Sequence, residues 1–263
     1  MYINESIIKR KLRGLVWKIF NFIENNGNAN FEKNGEKIFI DTLFKTFKQK
    51  DGIKVIFDVG ANIGQYSTML IDKGKELGVD FELHIFEPTQ SCFDLLTDIF
   101  KVHENISLNH FGISHIDEIT DIFYDKEKSG LASLYQRNLD SYRLELNQKE
   151  KIKVRRLDKY IQEQNINHIN FIKIDIEGHE LRGFEGMGEY FDSEFIDFIQ
   201  FEYGGANLDS HTSLMEVYKF LDARGFKVAK IMRGGLEMRY YRPNMENFNY
   251  ANYVAISKKI ISK

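Results

Sequence analysis

The chain has 263 residues, with 36 basic and 39 acidic side chains and a net charge of −3, so no overall cationic field recommends a nucleic acid as partner. Hydrophobic residues make up 43% and charged residues 29%, the balance of a water-soluble globular fold of one domain or at most two. Cys92 is the single cysteine, which excludes an internal disulfide and fits a reducing cytoplasm, the expected location.

In chain order, Ile7, Ile8, Leu12, Leu15, Val16, Ile19, Phe20 and Ile23 recur at helical spacing and predict an amphipathic helix within residues 1–30. Lys18 and Asn21 interrupt its apolar patch, and no small-residue cleavage site follows, so it reads as neither signal peptide nor transmembrane segment. It is expected to pack on the domain or on a second subunit as a homodimer contact; a basic helix resting on a membrane surface is the alternative. After an Asn/Gly-rich break at Asn25–Asn30, residues 31–263 read as a single domain. Strands are predicted at Lys54–Val59, Glu82–Glu87, Ile106–Gly112, Asn170–Asp175 and Asp197–Glu202. Helices are predicted at Gly64–Lys75, Ser91–Lys101, Glu180–Glu189 and Leu214–Arg224. Cys92 falls within the second of these and reads as a small buried hydrophobe rather than a nucleophile.

This alternation predicts an α/β fold with a mostly parallel sheet and helices on both faces. Residues 120–156 interrupt it and read as an insertion over the ligand end of the sheet. "FKVAKIM", "LEMRYYR" and "NYVAIS" follow without helices and predict an antiparallel finish.

The stretch "VIFDVGANIGQYS" ends a strand in an acid and a glycine turn that opens a helix, a geometry suited to an anionic group. Gly60 and Gly64 are spaced as D-x-G-x-x-x-G, with Asn62 where a dinucleotide fold needs its middle glycine and Gln65 where it needs Gly or Ala. An NAD-dependent oxidoreductase therefore fails on spacing. The pattern points instead to S-adenosylmethionine: Asp58 serves its ammonium or orders the turn, and Gly60, Asn62 and Gly64 let backbone approach its amino-acid portion. The second strand ends "HIFEP", which puts Glu87 where a carboxylate can take both ribose hydroxyls.

"DVGANIGQYS", "FEPTQSCFDLL" and "FIKIDIEGHELRGFEGM" together resemble the FkbM family of S-adenosylmethionine-dependent methyltransferases. "FGIS", "SGLASLY" and "VRRLDKYI" resemble it too, and "KIDIEGHE" is the most specific stretch. The resemblance spans about Glu36 to Glu202 and implies a class I Rossmann-like fold. It further implies O-methylation of a sugar or natural-product hydroxyl, with S-adenosylhomocysteine as product and Gly112 of "FGIS" at the cofactor. A small-molecule or nucleotide-linked sugar is the expected acceptor, in bacterial surface-polysaccharide assembly; a non-sugar acceptor and a non-catalytic cofactor-fold module are the alternatives.

Methyl transfer needs in-line approach of the acceptor oxygen and removal of its proton. Asp175, Glu177, His179 and Glu180 crowd the end of the fourth strand, and Glu202 ends the fifth. His179, whose ordinary pKa suits base work, is the expected general base; Asp175 orients it or the acceptor, and Glu202 is the rival. Asp175 and Glu202 could instead surround a divalent cation, but the spacing is no dedicated metal motif and no metal is assigned. Ser133, Tyr135, Glu177 and Tyr203 are the candidate acceptor contacts.

Overall fold

The computed structural model describes residues 6–261. Its elements run α1 (Ile7–Ile23), α2 (Glu36–Lys48), β1 (Lys54–Val59), α3 (Gln65–Leu77), β2 (Phe81–Phe86), α4 (Gln90–Phe100) and β3 (Ile106–Asn109). There follow β4 (Gly112–Ile113), β5 (Glu118–Tyr124), β6 (Gln148–Arg155), α5 (Leu157–Glu163), β7 (Ile169–Ile174), α6 (Glu180–Glu185) and β8 (Ile196–Tyr203). The chain continues through α7 (Ala206–Asp209), α8 (Leu214–Ala223), β9 (Phe226–Met232), β10 (Gly235–Met238), β11 (Ala251–Ser257) and α9 (Lys258–Ile261).

The main sheet has the order β10-β9-β11-β8-β7-β1-β2-β3. From β8 to β3 every pair is parallel. β11 lies antiparallel between β8 and β9. This is the α/β sheet of a class I methyltransferase, with strand order reversing between β1 and β7, where such sheets bind ligands.

Alternation along β1 builds a core on each face. Phe57 and Val59 join Phe86, Ile172, Phe184 and Phe201 on one side. Ile56 joins Phe39, Phe44, Leu70, Leu96 and Phe171 on the other. α2 lies in a region assigned no element from the sequence. Its buried Phe39, Ile40, Leu43, Phe44 and Phe47 recur at helical spacing and cover the second core.

Two expectations change. The strand expected over Ile106–Gly112 is two strands: β3 ends at Asn109, and the chain leaves the main sheet so that Gly112 pairs with Val154 in β6. α1 is a helix, but its contact with the domain is confined to its C-terminal end, where Arg233 lies over the Phe22 ring, and none of its residues is fully buried. Residues 112–155 form a second sheet, β4-β6-β5, with Ile122, Ile152 and Val154 as its own small core.

Gly60 follows β1 with φ +82°, and a Cβ there would lie 2.0 Å from the Asp175 carbonyl oxygen. The glycine thus sets how closely the ends of β1 and β7 approach. Gly60→Val should destabilise the fold by more than the ~1–2 kcal/mol that a left-handed backbone alone costs a side chain. Thermal unfolding checks this, and a variant as stable as the parent would show the two strand ends free to separate.

Candidate active site

Beyond the ends of β1 and β2 the chain encloses about 120 Å³ of free space. Gly60, Asn62, Glu87, Cys92, Gly112 and Ile113 line it, roofed by Ile122, Gly130, Ala132 and Leu134 from residues 112–155. Asn62 holds a left-handed conformation at φ +49°, which asparagine tolerates. That conformation aims its N–H at Glu87 Oε2, 2.8 Å away. Glu87 Oε1 accepts from the Thr89 N–H at 2.9 Å and the Thr89 hydroxyl at 2.6 Å. Burial nevertheless raises the Glu87 carboxyl above its ordinary pKa. Of roughly four acceptor positions on a carboxylate, the backbone N–H groups occupy two permanently. Rotation of the Thr89 hydroxyl frees a second position for an incoming diol.

A larger cleft of about 940 Å³ adjoins this cavity, and Gly60, Asn62, Gly130, Asp175 and Glu177 line both. Asp58, Tyr66, Lys173, Asp175, Glu177 and Glu202 form its floor. Asp58 is buried and accepts from the Ser67 hydroxyl at 2.5 Å, which ties α3 to β1. Burial pushes its pKa up to about 6 against that bond. Burial also pushes Asp175 upward, but Lys173, whose Nζ lies 2.7 Å from Oδ2, and a hydrogen bond from Glu202 outweigh it and hold Asp175 low. Glu202 moves the other way: burial and the Asp175 and Glu177 charges raise it well above the carboxylate range. Burial and the neighbouring charges thus move the two carboxyls in opposite directions, Asp175 down and Glu202 up.

Glu177, itself left-handed at φ +50°, is pushed to about 8 by burial and by Asp175, although Arg137 lies 2.5 Å from its Oε2. Arg137 also faces Asp209 at 3.6 Å. Five carboxyls, Asp58, Asp175, Glu177, Glu202 and Asp209, therefore line the cleft with two cations, Lys173 and Arg137. Burial is the main cause of the raised values at Asp58, Glu177 and Glu202, and the charge of Asp175 adds to it at each. Oxygens of Asp175, Glu177 and Glu202 all lie within 4.8 Å of one another. Lys173 and Arg137 already neutralise two of these groups, and the donor set carries no metal assignment.

His179 is placed differently from expectation. It lines the smaller cavity, not the larger cleft. Its Nε2 bonds Ser114 Oγ at 3.0 Å and its Nδ1 bonds the Tyr135 hydroxyl at 2.8 Å. Burial, with His115 and Arg182 nearby, lowers its pKa to about 4, which corrects the expected ionisation near neutrality. Both ring nitrogens are committed and the ring stays neutral at pH 7. Ser133 and Tyr135 secure the segment over the strand ends: the Ser133 hydroxyl donates to the Glu177 carbonyl at 2.8 Å, and Tyr135 holds His179. Tyr203 lies outside the cleft; it is buried and donates to Glu246 at 2.6 Å. Gly64 lines neither cavity, and a Cβ there would lie 2.7 Å from Leu96, so α4 fixes that position.

Arg137 and Tyr66 escaped the sequence reading. Arg137 sits just beyond "SGLASLY", where nothing local marks an arginine as buried. Tyr66 donates to Gln200 at 2.6 Å, and Gln200 donates to Glu36 on α2, an element not assigned beforehand. Only the tertiary fold brings these residues to the floor.

Comparison with known proteins supplies the family. "Methyltransferase 1" of Beauveria bassiana (strain ARSEF 2860) is 22% identical over 210 residues, 74% of this chain and 80% of that protein. The crystal structure of a methyltransferase FkbM from Methylobacillus flagellatus KT aligns with 93% of this chain at 15% identity and a TM-score of 0.49. The chain spans 60% of that protein's length. A Streptococcus mutans methyltransferase solved in complex with SAH aligns with 83% of this chain and 97% of its own, at 10% identity and a TM-score of 0.44. The model of the methyltransferase FkbM domain matches residues 58–228, from the acid in β1 to the middle of β9, and the chain belongs to that family, whose cofactor is S-adenosylmethionine.

Proposed function

We propose that the chain is an O-methyltransferase acting on a sugar hydroxyl, on the cytoplasmic side and within glycan assembly. The observation that carries the reading is the Asp175–Glu202 pair, two carboxyls with oxygens within 4.8 Å of each other at the floor of a wide cleft, one held low by Lys173 and the other raised by burial. Asn138, Tyr142, Asp209, Phe248 and Tyr250 line that cleft too, a polar and aromatic set of the kind carbohydrates use. The acid excess also fits the cofactor, whose ammonium and sulfonium are cationic. When bound, S-adenosylmethionine supplies an electrophilic methyl group.

The chain's own residues would then act as follows. Asp58 and the helix start at Gly64 order the turn beneath the amino-acid portion, and Glu87 receives the ribose diol. Glu202, giving up its own proton to solvent as nearby cationic charge lowers its pKa, would accept the acceptor hydroxyl's proton at Oε as the oxygen is methylated. Asp175, held ionised by Lys173, orients Glu202 and keeps its pKa high. Arg137 and Glu177 border the acceptor space.

Transfer of tritium from methyl-labelled S-adenosylmethionine to a panel of nucleotide-linked sugars tests the reading. Label on a sugar oxygen is the expected result; label only on non-sugar hydroxyls, or on none, would remove the sugar acceptor. The cofactor half has its own check. Glu87→Ala should weaken S-adenosylhomocysteine binding by about tenfold or more, since charge-assisted bonds contribute ~1.5–3 kcal/mol each. Unchanged affinity by calorimetry would take the ribose away from Glu87.

A further inference from the structure

α1 presents an apolar stripe that nothing in the described structure covers. Ile8, Leu12, Leu15, Ile19 and Ile23 recur three and four residues apart, and Ile8 is 79%, Leu15 56% and Ile19 50% exposed. The partly buried residues of the helix, Phe20 and Asn21, lie on a different side. Lys9, Lys11 and Lys18 flank the stripe, Arg10 and Arg13 add positive charge farther round the helix, and the helix holds no acidic residue. Its root is fixed: Asn25 Nδ2 donates to the Asn34 carbonyl at 2.6 Å and the Ile231 carbonyl at 3.1 Å, and Glu24 pairs with Lys230 at 3.3 Å.

We infer that α1 is an in-plane anchor that docks the protein on an anionic lipid surface. An exposed apolar stripe edged by cations and free of acids fits the boundary between acyl chains and anionic headgroups. Trp17, half exposed and stacked on Phe20 with ring centroids 5.6 Å apart, adds an interfacial aromatic. No helix among the described residues is long and apolar enough to cross a membrane, so the helix rests on the surface. Charge separates this occupant from a second copy of the chain. Parallel pairing of two α1 stripes would bring Lys9 and Lys11 of each copy against the same cations of the other, and antiparallel pairing would offer them no acid, since the helix holds none.

The anchor also has a place relative to the cleft. Gly27, Ala29 and Phe31, immediately past the root, line it, and the Gly27 N–H donates to the carbonyl of Tyr250, a cleft residue, at 2.8 Å. Docking through α1 therefore brings one rim of the cleft to the bilayer.

Co-sedimentation of the full chain with vesicles of phosphatidylcholine, with and without phosphatidylserine, tests the inference. The expected result is binding to the anionic vesicles alone, weakened by added salt. Lys9→Glu/Arg10→Glu/Lys11→Glu should lower the partition coefficient on the order of a hundredfold or more, and Leu15→Asp/Ile19→Asp should abolish binding. Both variants should keep parental S-adenosylhomocysteine affinity, which shows that the domain is folded. Equal binding to neutral vesicles would overturn the anionic assignment. Absence of vesicle binding would overturn the anchor altogether, and a dimer by light scattering that Leu15→Asp/Ile19→Asp dissociates would then identify a second copy as the occupant.

Discussion

Glu202→Gln should lower kcat for methyl transfer by ~10²–10⁴-fold, the contribution of a positioned general base, and leave S-adenosylhomocysteine affinity within about threefold. Glutamine preserves the size of the side chain and can still donate to Asp175, but it cannot take a proton. Burial and the charges of Asp175 and Glu177 make the Glu202 carboxylate unusually basic, as abstraction from a sugar hydroxyl requires. Asp175→Asn should also cost kcat, since it removes the charge that keeps Glu202 basic and leaves the buried Lys173 without its partner 2.7 Å away. Unlike Glu202→Gln, it should lower thermal stability as well. His179 gives the contrast. With both nitrogens bonded and its pKa near 4, His179→Ala should act mainly by loosening Ser114 and Tyr135. A larger kcat loss for His179→Ala than for Glu202→Gln, at equal cofactor affinity, would return the base to the histidine.

Cofactor affinity should strengthen as pH rises from about 6 to about 8, with protons released on binding. Asp58 is raised from 3.8 to about 6 and Glu177 from 4.5 to about 8, so Asp58 loses its remaining proton early in that range while Glu177 carries one through most of it. For stability alone the sign is unfavourable at high pH. A carboxyl with a raised folded pKa contributes most below its unfolded value and loses that contribution as pH climbs through the folded one. The unliganded protein should therefore become less stable toward pH 8 while its hold on a cationic ligand tightens. One released proton limits the slope to about tenfold in affinity per pH unit. Calorimetry of S-adenosylmethionine in two buffers of different ionisation enthalpy measures the release directly. S-adenosylhomocysteine, without the sulfonium charge, should show the shallower dependence. Identical, flat profiles for both ligands would mean that the acidic floor does not sense the cofactor's charge.

Which parts of this were legible in the sequence follows from how local each signal is. β1, β7 and β8 are buried runs of β-branched and aromatic residues ending in acids, and their bounds come within a residue or two of the expected ones. The glycine turn after β1 was visible for the same reason, although Gly60 answers to the Asp175 carbonyl and Gly64 to Leu96, neither of which the sequence displays. α2 hid because Ile38-Phe39-Ile40 after an Asn/Gly-rich break looks like a strand over so short a span. The surroundings of His179 were not legible, because burial and the neighbouring His115 and Arg182, which lower its pKa, come together only in the fold. Arg137 reaches Glu177 across forty residues of chain, a pairing that no periodicity encodes.

The position of β11 has a consequence for how the chain is made. β11 fills the place between β8 and β9, yet it is translated after both. Until Ala251–Ser257 leaves the ribosome, β8 and β9 each expose a strand edge where the finished sheet is continuous. The pairing that closes this gap joins Phe198–Tyr203 to residues some fifty positions later, so it is among the slower contacts to form. Glu202 pairs in register with Asn252, so the outer neighbour of that floor strand arrives only in that final step. A nascent chain can thus carry the whole glycine turn, Asp58 and Glu87 while β8 still lacks the strand that closes its outer edge.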